Sequence, residues 1–455
     1  MQERQSIHGS WASRWTFILA ATGSSVGLGN IWKFPYITGE NGGGAFVLVY
    51  LACIAAVGIP IFMAEVVVGR RGRQSPIHSM RDVALEAGRD PRWSWLGWMG
   101  ALAGFMIFAF YSVVSGWVLA YVFHTLNGTF NGAGSEAVGA VFDGMLGDPT
   151  TLTLWHTIFV AMVMVVLSRG ISKGLEQAIR IMMPSLFVLV LLLLMYALTT
   201  GSFGRGVEFL FAADFSKLSW NSVLVALGHA FFTLSLGMGA MMVYGSYMPK
   251  NASIAGTAMI VAGLDTLVAL AAGMAIFPLV FANQLDPGAG PGLMFVTLPV
   301  AFGGMPGGQV FGFLFFLMVS IAAWSSAVSL MEPAVAWMVE RFPVSRNQAC
   351  LVLGAGGWVL GLGALASFNI GADWLLFGMN FFDFLDFVTA NLLLPLGGLL
   401  TALFVGWWLP ARISRDEMSR DNAAGYSLWL LLVRFIAPVA VLVVFVANLY
   451  SKFAA

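Results

Sequence analysis

Three glycines and three polar side chains interrupt the first hydrophobic stretch of the chain, over Gly23-Ser24-Ser25-Val26-Gly27-Leu28-Gly29-Asn30. One interior glycine costs a helix about 1 kcal/mol relative to alanine, so this cluster favours a break. Irregular backbone at membrane depth is tolerated only where protein buries it or where it lines a cavity. The segment therefore predicts bare carbonyl and N–H groups that can bind a ligand. The alternative is that these glycines only allow helices to pack closely.

A second polar interruption flanked by glycines lies five hydrophobic stretches later, over Phe231-Phe232-Thr233-Leu234-Ser235-Leu236-Gly237-Met238-Gly239-Ala240. Two interrupted segments in corresponding positions are typical of a secondary transporter built from inverted repeats, with its site at the breaks. Because the two interruptions are an odd number of membrane-spanning stretches apart, namely five, the second repeat is inverted in the membrane relative to the first. The predicted organisation is a cytoplasmic segment 1–12, a first repeat 13–200, a second repeat 221–409 and a final helix 427–450.

Composition places the chain in a membrane. Hydrophobic residues make up 59% of it and charged residues 10%, whereas about a quarter of a soluble protein is charged. A membrane span needs about 20 mostly apolar residues. This rule predicts an all-α polytopic membrane protein with eleven spans, at 13–38, 43–69, 96–125, 152–169, 177–200, 221–246, 254–283, 307–340, 347–367, 375–409 and 427–450. No small-residue cleavage site precedes the first stretch, which we expect to stay in the membrane.

The distribution of Lys and Arg predicts the orientation of the spans. Six arginines lie between spans 2 and 3, and the other loops that follow even-numbered spans also carry Lys or Arg. The alternate loops hold only Arg205 and Lys217. Because positive loops stay in the cytoplasm, we expect a cytoplasmic N-terminus and an external C-terminus. We expect a lipid bilayer to surround the spans, and we expect no nucleic-acid partner.

Three motifs resemble the first helix of the neurotransmitter:sodium symporters: Trp11-Ala-Ser-Arg14, the run from Gly23 to Pro35, and Glu40-Asn-Gly-Gly-Gly-Ala-Phe46. The Phe-Phe-Thr-Leu-Ser-Leu-Gly run at 231–237 resembles the sixth helix of that family. The resemblance implies a leucine-transporter-type 5+5 inverted repeat, with helices 1 and 6 broken, in the bacterial cytoplasmic (inner) membrane. The Gly237-Met238-Gly239 break is most similar to bacterial members that carry several hydrophobic amino acids.

The resemblance implies two co-transported sodium ions and no organic cofactor. Sodium is a hard cation, and broken helices supply the oxygen ligands that it needs. The first ion would lie on the Ser25 carbonyl, Asn30, Thr233, Asp265 and the carboxylate of the substrate. The second would lie on the carbonyls of Gly23 and Val26 together with Ala322, Ser325 and Ser326. The alternative for Ser325 and Ser326 is hydroxyls that bond to their own helix.

The resemblance also implies where an amino acid would bind. Its carboxylate would accept hydrogen bonds from the Leu28 and Gly29 amides at a half-helix N-terminus, and from the Tyr111 hydroxyl. The other residues of the implied pocket are Ser24, Ser25, Ile107, Phe232, Thr233, Ser235, Met238, Ser326 and Leu330. Relatives that carry monoamines have Asp at the position of Gly27. The glycine leaves room for the substrate's own carboxylate, which favours an amino acid. The alternative for Tyr111 is an ordinary packed aromatic.

Charged residues inside the membrane are functional candidates, because burying them in lipid is costly. Lys33 and Asp386 match the outer gate pair of the family, and Tyr111 and Phe232 match the inner layer of that gate. The residues that match the cytoplasmic gate are Trp11, Tyr247 and Glu340.

Two histidines depart from the family pattern. The family usually has Arg three residues before Trp11, where this chain has His8. Arg4 or Arg14 could supply that charge instead. His229 stands where the family usually has Gln. It is either a packed histidine with one bonded nitrogen or part of a proton relay.

Chloride-dependent relatives hold the anion with Ser on helix 7 and Asn four residues earlier. This chain has Ala269 and Asp265 at those positions, so the resemblance implies no chloride requirement. A carboxylate near a vacated cation site is easier to protonate. Asp265 could then carry a proton on the empty return step. The alternative is an Asp that is only hydrogen-bonded to Tyr50 and Thr233.

We therefore expect a sodium-coupled symporter for hydrophobic and aromatic L-amino acids, working by alternating access. The alternatives are a substrate-sensing transceptor and a sodium-coupled carrier of another small carboxylated amine. A channel would need a continuous polar ring, which the spans lack. An enzyme would need a nucleophile–base pair or a metal cluster within the bilayer, and the sparse His and Cys residues do not indicate one.

Overall fold

The computed structural model describes residues 6–453. Within this range the regular structure is helical, apart from one isolated bridge between Leu376 and Met379. In chain order the helices are α1 (Arg14–Ser25), α2 (Phe34–Glu40), α3 (Gly44–Gly72), α4 (Pro76–Glu86), α5 (Pro91–Leu126), α6 (Ser135–Gly147), α7 (Pro149–Ser168), α8 (Ile171–Leu198), α9 (Phe203–Phe211), α10 (Trp220–Thr233), α11 (Ala240–Ser246), α12 (Ile254–Ala282), α13 (Leu293–Gly304), α14 (Gly308–Arg341), α15 (Arg346–Ala366), α16 (Phe381–Trp408), α17 (Ala411–Glu417) and α18 (Ala423–Tyr450).

Nine of these helices in the described part of the chain are long and apolar enough to cross a membrane: α3, α5, α7, α8, α12, α14, α15, α16 and α18. Two pairs of shorter helices, α1 with α2 and α10 with α11, lie where the sequence predicts spans 1 and 6, and a π-helical turn over Gly29–Lys33 runs directly into α2. Each pair is interrupted at its polar glycine segment. Counting each pair as one interrupted span gives the predicted eleven, a total that stays a prediction.

The start of span 10 differs from the sequence prediction. The hydrophobic stretch predicts a span over 375–409, whereas α16 begins at Phe381. The preceding residues form a turn in which Phe377 and Gly378 both have positive φ, at 53° and 76°. The side chain of Asn380 then caps α16 by accepting a hydrogen bond from the backbone of Asp383. Hydrophobicity alone misses this boundary, because the turn is itself apolar.

Five helices connect the predicted spans, namely α4, α6, α9, α13 and α17. The sequence does not predict them as membrane spans, because most are too short to cross a bilayer and some are mainly polar. Helix α4 packs between α3 and α5, α9 packs on α12, and α13 packs on α14.

The centre of the molecule is the packing of α5 along α14, with α1 against α12, α14 and α8. Glycine permits a very close approach at one point of this core. A Cβ added to Gly104 on α5 would lie 2.7 Å from the carbonyl oxygen of Leu330 on α14. These long helices form the frame against which both interrupted segments lie.

Candidate functional site

The break in the first span occurs where its glycines predict it. Helix α1 ends at Ser25, and the backbone becomes extended at Val26, with φ −74° and ψ 105°. The Val26 N–H still donates to the Thr22 carbonyl, at 2.7 Å. The Gly27 N–H instead donates to Oδ1 of Asn30, at 3.1 Å. The carbonyls at the end of α1 are thereby freed from the helix.

The break in the sixth span depends on three positive φ angles. They lie at Ser235 (54°), Gly237 (78°) and Gly239 (74°). Such backbone is rare for a side chain other than glycine, so Ser235 is strained. A Cβ at Gly237 would also lie 2.3 Å from the carbonyl oxygen of Leu394, so no other residue fits there.

A buried carboxylate supports this second break. Glu65 on α3 is fully buried, and its Oε1 accepts a hydrogen bond from the Gly237 N–H at 2.7 Å. Sequence reasoning did not select Glu65. The sequence feature that could have identified Glu65 is an acidic residue inside a hydrophobic span, which marks a functional candidate.

Asp265 joins the two breaks. It lies fully buried on α12, and its Oδ1 accepts from Asn30 Nδ2 at 2.8 Å. The Thr233 hydroxyl at the end of α10 lies 3.1 Å and 3.0 Å from its two carboxylate oxygens. The hydroxyl of Ser25 is buried without a hydrogen-bond partner among the described residues. Asn30, Thr233 and Asp265, all predicted for the first sodium ion, therefore form an oxygen-rich cluster, and Ser25 ends α1 at the break.

The residues predicted for the second ion also come together. The hydroxyl oxygen of Ser326 on α14 lies 3.3 Å from the Gly23 carbonyl oxygen and 3.1 Å from that of Val26. The Ser325 hydroxyl donates to the Ala322 carbonyl of its own helix, at 3.0 Å. The alternative of a hydroxyl bonded within its own helix thus describes Ser325, whereas Ser326 reaches across to the broken helix.

One small cavity of about 20 Å³ lies between these clusters. Twelve of the thirteen residues predicted to contact the substrate line it: Ser24, Ser25, Gly27, Leu28, Gly29, Ile107, Tyr111, Phe232, Ser235, Met238, Ser326 and Leu330. The thirteenth, Thr233, bonds to Asp265 instead. At one end of the cavity the Leu28 N–H donates to the Tyr111 hydroxyl, at 3.3 Å.

Gly27 faces the crowded end of this cavity. A Cβ added there would lie 2.5 Å from the Ser326 hydroxyl oxygen and 2.9 Å from that of Tyr111. Any larger residue must displace one of these two groups. The glycine therefore preserves the space between the α1 break, α5 and α14.

A chain of serine hydroxyls joins the two breaks to α14. Ser24 donates to the Ser329 hydroxyl at 2.7 Å, and Ser235 donates to the Ser24 carbonyl at 3.0 Å. Sequence reasoning missed Ser329. Its spacing of three residues from Ser326 on one helix face was the available signal.

The predicted outer pair is not closed in this structure. Lys33 and Asp386 line the same pocket beyond the cavity, and its volume is about 320 Å³. No N–O distance of 4 Å or less joins these two described residues. The Lys33 ammonium lies 5.1 Å from the centre of the Phe232 ring instead. Lysine is a point charge that can rest on an aromatic face, so it does not need the carboxylate.

The opposite end, predicted to be cytoplasmic, is closed by hydrogen bonds to Glu340. His8 Nε2 lies 3.0 Å from its Oε1, and His78 Nδ1 lies 2.6 Å from its Oε2. The backbone N–H of Ser75 also donates to Oε1, at 2.6 Å. Arg14 is not the substitute for the missing arginine, because its Nε donates to the Thr257 hydroxyl at 3.1 Å. Arg4 lies outside the described residues.

Sequence reasoning missed His78, which lies on the connecting helix α4. Nothing along the chain pairs it with His8, because the two meet only through Glu340. The remaining predicted gate residues lie next to this cluster. The backbone N–H of Trp11 donates to the Tyr247 carbonyl at 3.0 Å, and the Tyr247 hydroxyl donates to Oε1 of Glu332 at 2.8 Å. Glu332 pairs in turn with Arg346.

His229 matches neither of its two predicted roles fully. It is buried, with its ring 6.0 Å from that of Phe34 and 5.3 Å from that of Tyr50. Neither ring nitrogen has a hydrogen-bond partner among the described residues. The ring is packed, as the simpler interpretation expects, but without the bonded nitrogen.

Comparison with known proteins identifies the same family as the motifs. The model of the sodium:neurotransmitter symporter family matches residues 8–134 and 144–454. The uncharacterized sodium-dependent transporter YhdH of Bacillus subtilis is 37% identical over 454 residues, covering 98% of each chain. An uncharacterized sodium-dependent transporter of Haemophilus influenzae is 32% identical, over 97% of this chain and 98% of its own.

A solved structure gives the same answer for the fold. The crystal structure of MhsT in complex with L-phenylalanine matches with a TM-score of 0.88 and 44% identity, over 97% of this chain and 99% of that one. The predicted leucine-transporter-type helical fold is thereby confirmed. The relatives are transporters and not enzymes. This chain therefore belongs to the sodium:neurotransmitter symporter family of multi-pass membrane transporters.

Proposed function

We propose that this protein carries hydrophobic and aromatic L-amino acids into a bacterial cell together with two sodium ions, by alternating access. The observation that supports this most strongly is the cavity between the two oxygen-rich clusters. Its Leu28 end offers a backbone N–H and the Tyr111 hydroxyl, which suit a carboxylate. The relative MhsT has been crystallised with L-phenylalanine, an amino acid of the proposed class.

The proposed selectivity rests on the walls of the cavity. Ile107, Met238 and Leu330 are all at most 4% exposed, and Phe232 completes this apolar surface. An apolar wall discriminates against charged side chains, because their desolvation has no compensating partner. A competition panel of the twenty amino acids against sodium-driven phenylalanine uptake tests the proposal. Strongest competition by charged or very small amino acids would contradict it.

The proposed alternating access rests on the difference between the two ends. The Glu340 cluster closes one end, while the Lys33–Asp386 pair at the other end is not formed. We place the closed end in the cytoplasm, with the N-terminus inside and the C-terminus outside the bacterial inner membrane. A sensor that does not transport would bind the amino acid without moving it, and the uptake assay separates these two functions.

Met238→Phe is expected to bias the site towards aliphatic substrates. Methionine is flexible enough to adapt to side chains of different shape, whereas a phenylalanine ring is rigid. We expect leucine to gain on tryptophan by about tenfold in relative affinity, the low end of what a pocket contact contributes. Competition binding with both amino acids measures this.

Met259→Phe is the matched control, because Met259 is 58% exposed and lies away from the cavity. Its leucine-to-tryptophan ratio should equal that of the wild type. An unchanged ratio in Met238→Phe would remove Met238 from the specificity-determining wall.

Transport is expected to continue when gluconate replaces chloride. Asp265 supplies a fixed negative charge beside the first proposed sodium site, and Ala269, one turn later on α12, offers no anion donor. The double variant Asp265→Asn with Ala269→Ser should become chloride-dependent, and Ala269→Ser alone should not. Loss of wild-type uptake in gluconate would disprove this part of the proposal.

The Asp265 carboxylate is also the candidate carrier of a proton when the empty transporter returns. We propose that Asp265 takes up a proton after sodium leaves, which would make transport export protons. Uptake driven by sodium should then acidify the exterior of proteoliposomes, as a pH dye in the external medium would report. No pH change in wild type would limit Asp265 to sodium binding.

Glu340→Gln is expected to weaken amino-acid binding about tenfold. The hydrogen bonds to the charged Glu340 hold this end closed, and a hydrogen bond to a charged group contributes about 1.5–3 kcal/mol to the closed state. The variant loses the charge that His8 and His78 share. The closed end then opens more often, and the fraction of protein competent to bind from outside falls. Equilibrium binding of labelled phenylalanine in sodium measures the change.

Glu86→Gln is the control for this variant, because it removes a carboxylate that pairs with Arg71 on the same side of the molecule. Its binding should stay near the wild-type value. Equal weakening in both variants would mean that Glu340 has only a general structural role.

A further inference from the structure

An apolar groove opens on the outer surface of the helices, away from the central cavity. It lies between α4, the first turns of α5, the last turns of α14, and α15, and its volume is about 400 Å³. Every lining side chain in the described chain is apolar, including Ile77, Trp98, Leu102, Phe105, Trp337 and Leu353. Leu102 is 51% exposed and Trp95, at the rim, is 72% exposed. The groove is therefore continuous with the surface that faces the bilayer.

Tryptophans define one end of the groove. The Trp98 and Trp337 rings meet at a centroid distance of 4.4 Å, and Trp337 contacts Phe342 at 5.5 Å. The Arg341 guanidinium lies 5.5 Å from the centre of the Phe342 ring. Tryptophan is enriched at the level of lipid headgroups. This end is thus suited to an interface, with a cation beside it.

Two exposed arginines and two acidic residues lie near this end of the groove. Arg341 follows Trp337 by four residues on the same helix face, and Arg92 precedes Trp95 by three residues. Both arginine residues are exposed. The Asp90 side chain lies on the same turn and accepts from the Arg92 backbone N–H at 2.7 Å. Glu340, next to Arg341, is occupied by His8 and His78.

The wall of the groove is one face of α5, and the opposite face touches the break in span 6. Gly100 lies on that opposite face, whereas Gly97 packs against Ile77, which lines the groove. A Cβ at Gly97 would lie 2.5 Å from the Ile77 Cα, and one at Gly100 would lie 2.9 Å from the backbone nitrogen of Gly239. A ligand that braces α5 against α4 and α14 would therefore stabilise the frame behind the break.

We propose that this groove binds one anionic phospholipid, with an acyl chain between Trp98, Leu102 and Leu353 and the phosphate at Arg92 and Arg341. Three features favour this occupant over a protein. The groove is continuous with the bilayer surface, all of its described lining is apolar, and Arg92 and Arg341 each lie about one helical turn from a tryptophan of the same end. A zwitterionic lipid has a compensating positive charge and gains less from the two arginines.

Native mass spectrometry of the full-length protein, titrated with phosphatidylglycerol or with phosphatidylcholine, tests this proposal. We expect one phosphatidylglycerol to bind more tightly than phosphatidylcholine. Arg92→Gln and Arg341→Gln should each weaken the phosphatidylglycerol complex about fivefold, the effect of one cation near a lipid phosphate. Leu102→Trp, at an exposed position, should narrow the groove and weaken the same complex.

Arg412→Gln on α17 is the matched control for charge, and it should bind phosphatidylglycerol like the wild type. Equal affinity for the two lipids, or equal weakening by Arg412→Gln, would overturn the proposal. A lipid-free dimer that Leu102→Trp dissociates would also overturn it, since the occupant would then be a second copy.

A functional readout separates a specific site from passive lipid contact. Uptake in vesicles of phosphatidylcholine should rise when phosphatidylglycerol is included, and the variant with both Arg92→Gln and Arg341→Gln should not respond. The response of Arg412→Gln should equal that of the wild type. The mass-spectrometric titration stands apart from the substrate assignment, because it measures lipid binding without any amino acid.

Discussion

Gly27→Asp is expected to weaken amino-acid binding by at least about a hundredfold, because burying an uncompensated charge costs several kcal/mol. The added Cβ alone would lie 2.5 Å from the Ser326 hydroxyl oxygen and 2.9 Å from that of Tyr111. The new carboxylate would also occupy the position where the substrate carboxylate is proposed to bind. Gly27→Ala should give a smaller loss, since it adds the close contact but no charge.

Gly144→Asp is the matched control, because Gly144 lies in α6 with no atom within 4 Å of an added Cβ. It should bind phenylalanine like the wild type. Thermal unfolding of each purified variant separates lost binding from lost folding. A folded Gly27→Asp protein that binds phenylalanine normally would place the carboxylate elsewhere.

Replacing sodium by potassium is expected to weaken phenylalanine binding at least about tenfold, which lies within the range of typical coupling energies of about 1–3 kcal/mol. The two proposed sites consist of oxygens held by packed helices, so a larger ion fits them poorly. One of them would be completed by the carboxylate of the substrate. Sodium and substrate should then raise each other's affinity by the same factor.

Ser326→Ala tests the second proposed site within that experiment. Its hydroxyl oxygen lies within 3.3 Å of both the Gly23 and Val26 carbonyl oxygens, so the variant removes the oxygen that faces them. The sodium concentration for half-maximal binding should rise. Ser320→Ala on the same helix is the control, because the Ser320 hydroxyl bonds to the Phe316 carbonyl of its own helix. Equal sodium dependence in both variants would exclude Ser326 as a ligand.

The two breaks were predictable from the sequence, because glycine and polar residues inside a hydrophobic stretch disfavour a continuous membrane helix. The cavity lining was predictable as well, although that set came from the family resemblance and not from periodicity. Whether Lys33 and Asp386 meet was not predictable, since two charges on distant helices do not specify the state of a gate. The start of α16 at Phe381 was not predicted either, because the turn that precedes it is as apolar as a membrane helix.

The residues missed by the sequence prediction all act through contacts between distant elements. Glu65 reaches Gly237 across 172 positions of the chain, and Ser329 meets Ser24 across 305. His78 meets His8 only at Glu340. Hydrophobic periodicity predicts which face of a helix is buried but not which helix it faces.

Accumulation of labelled phenylalanine in proteoliposomes is the measurement that tests sodium-coupled symport most directly. We predict that an inward sodium gradient in gluconate medium raises internal phenylalanine above the external concentration. An ionophore that removes the sodium gradient should abolish the accumulation. Accumulation that is equal with a potassium gradient, or entry that never exceeds equilibrium, would contradict sodium-coupled symport.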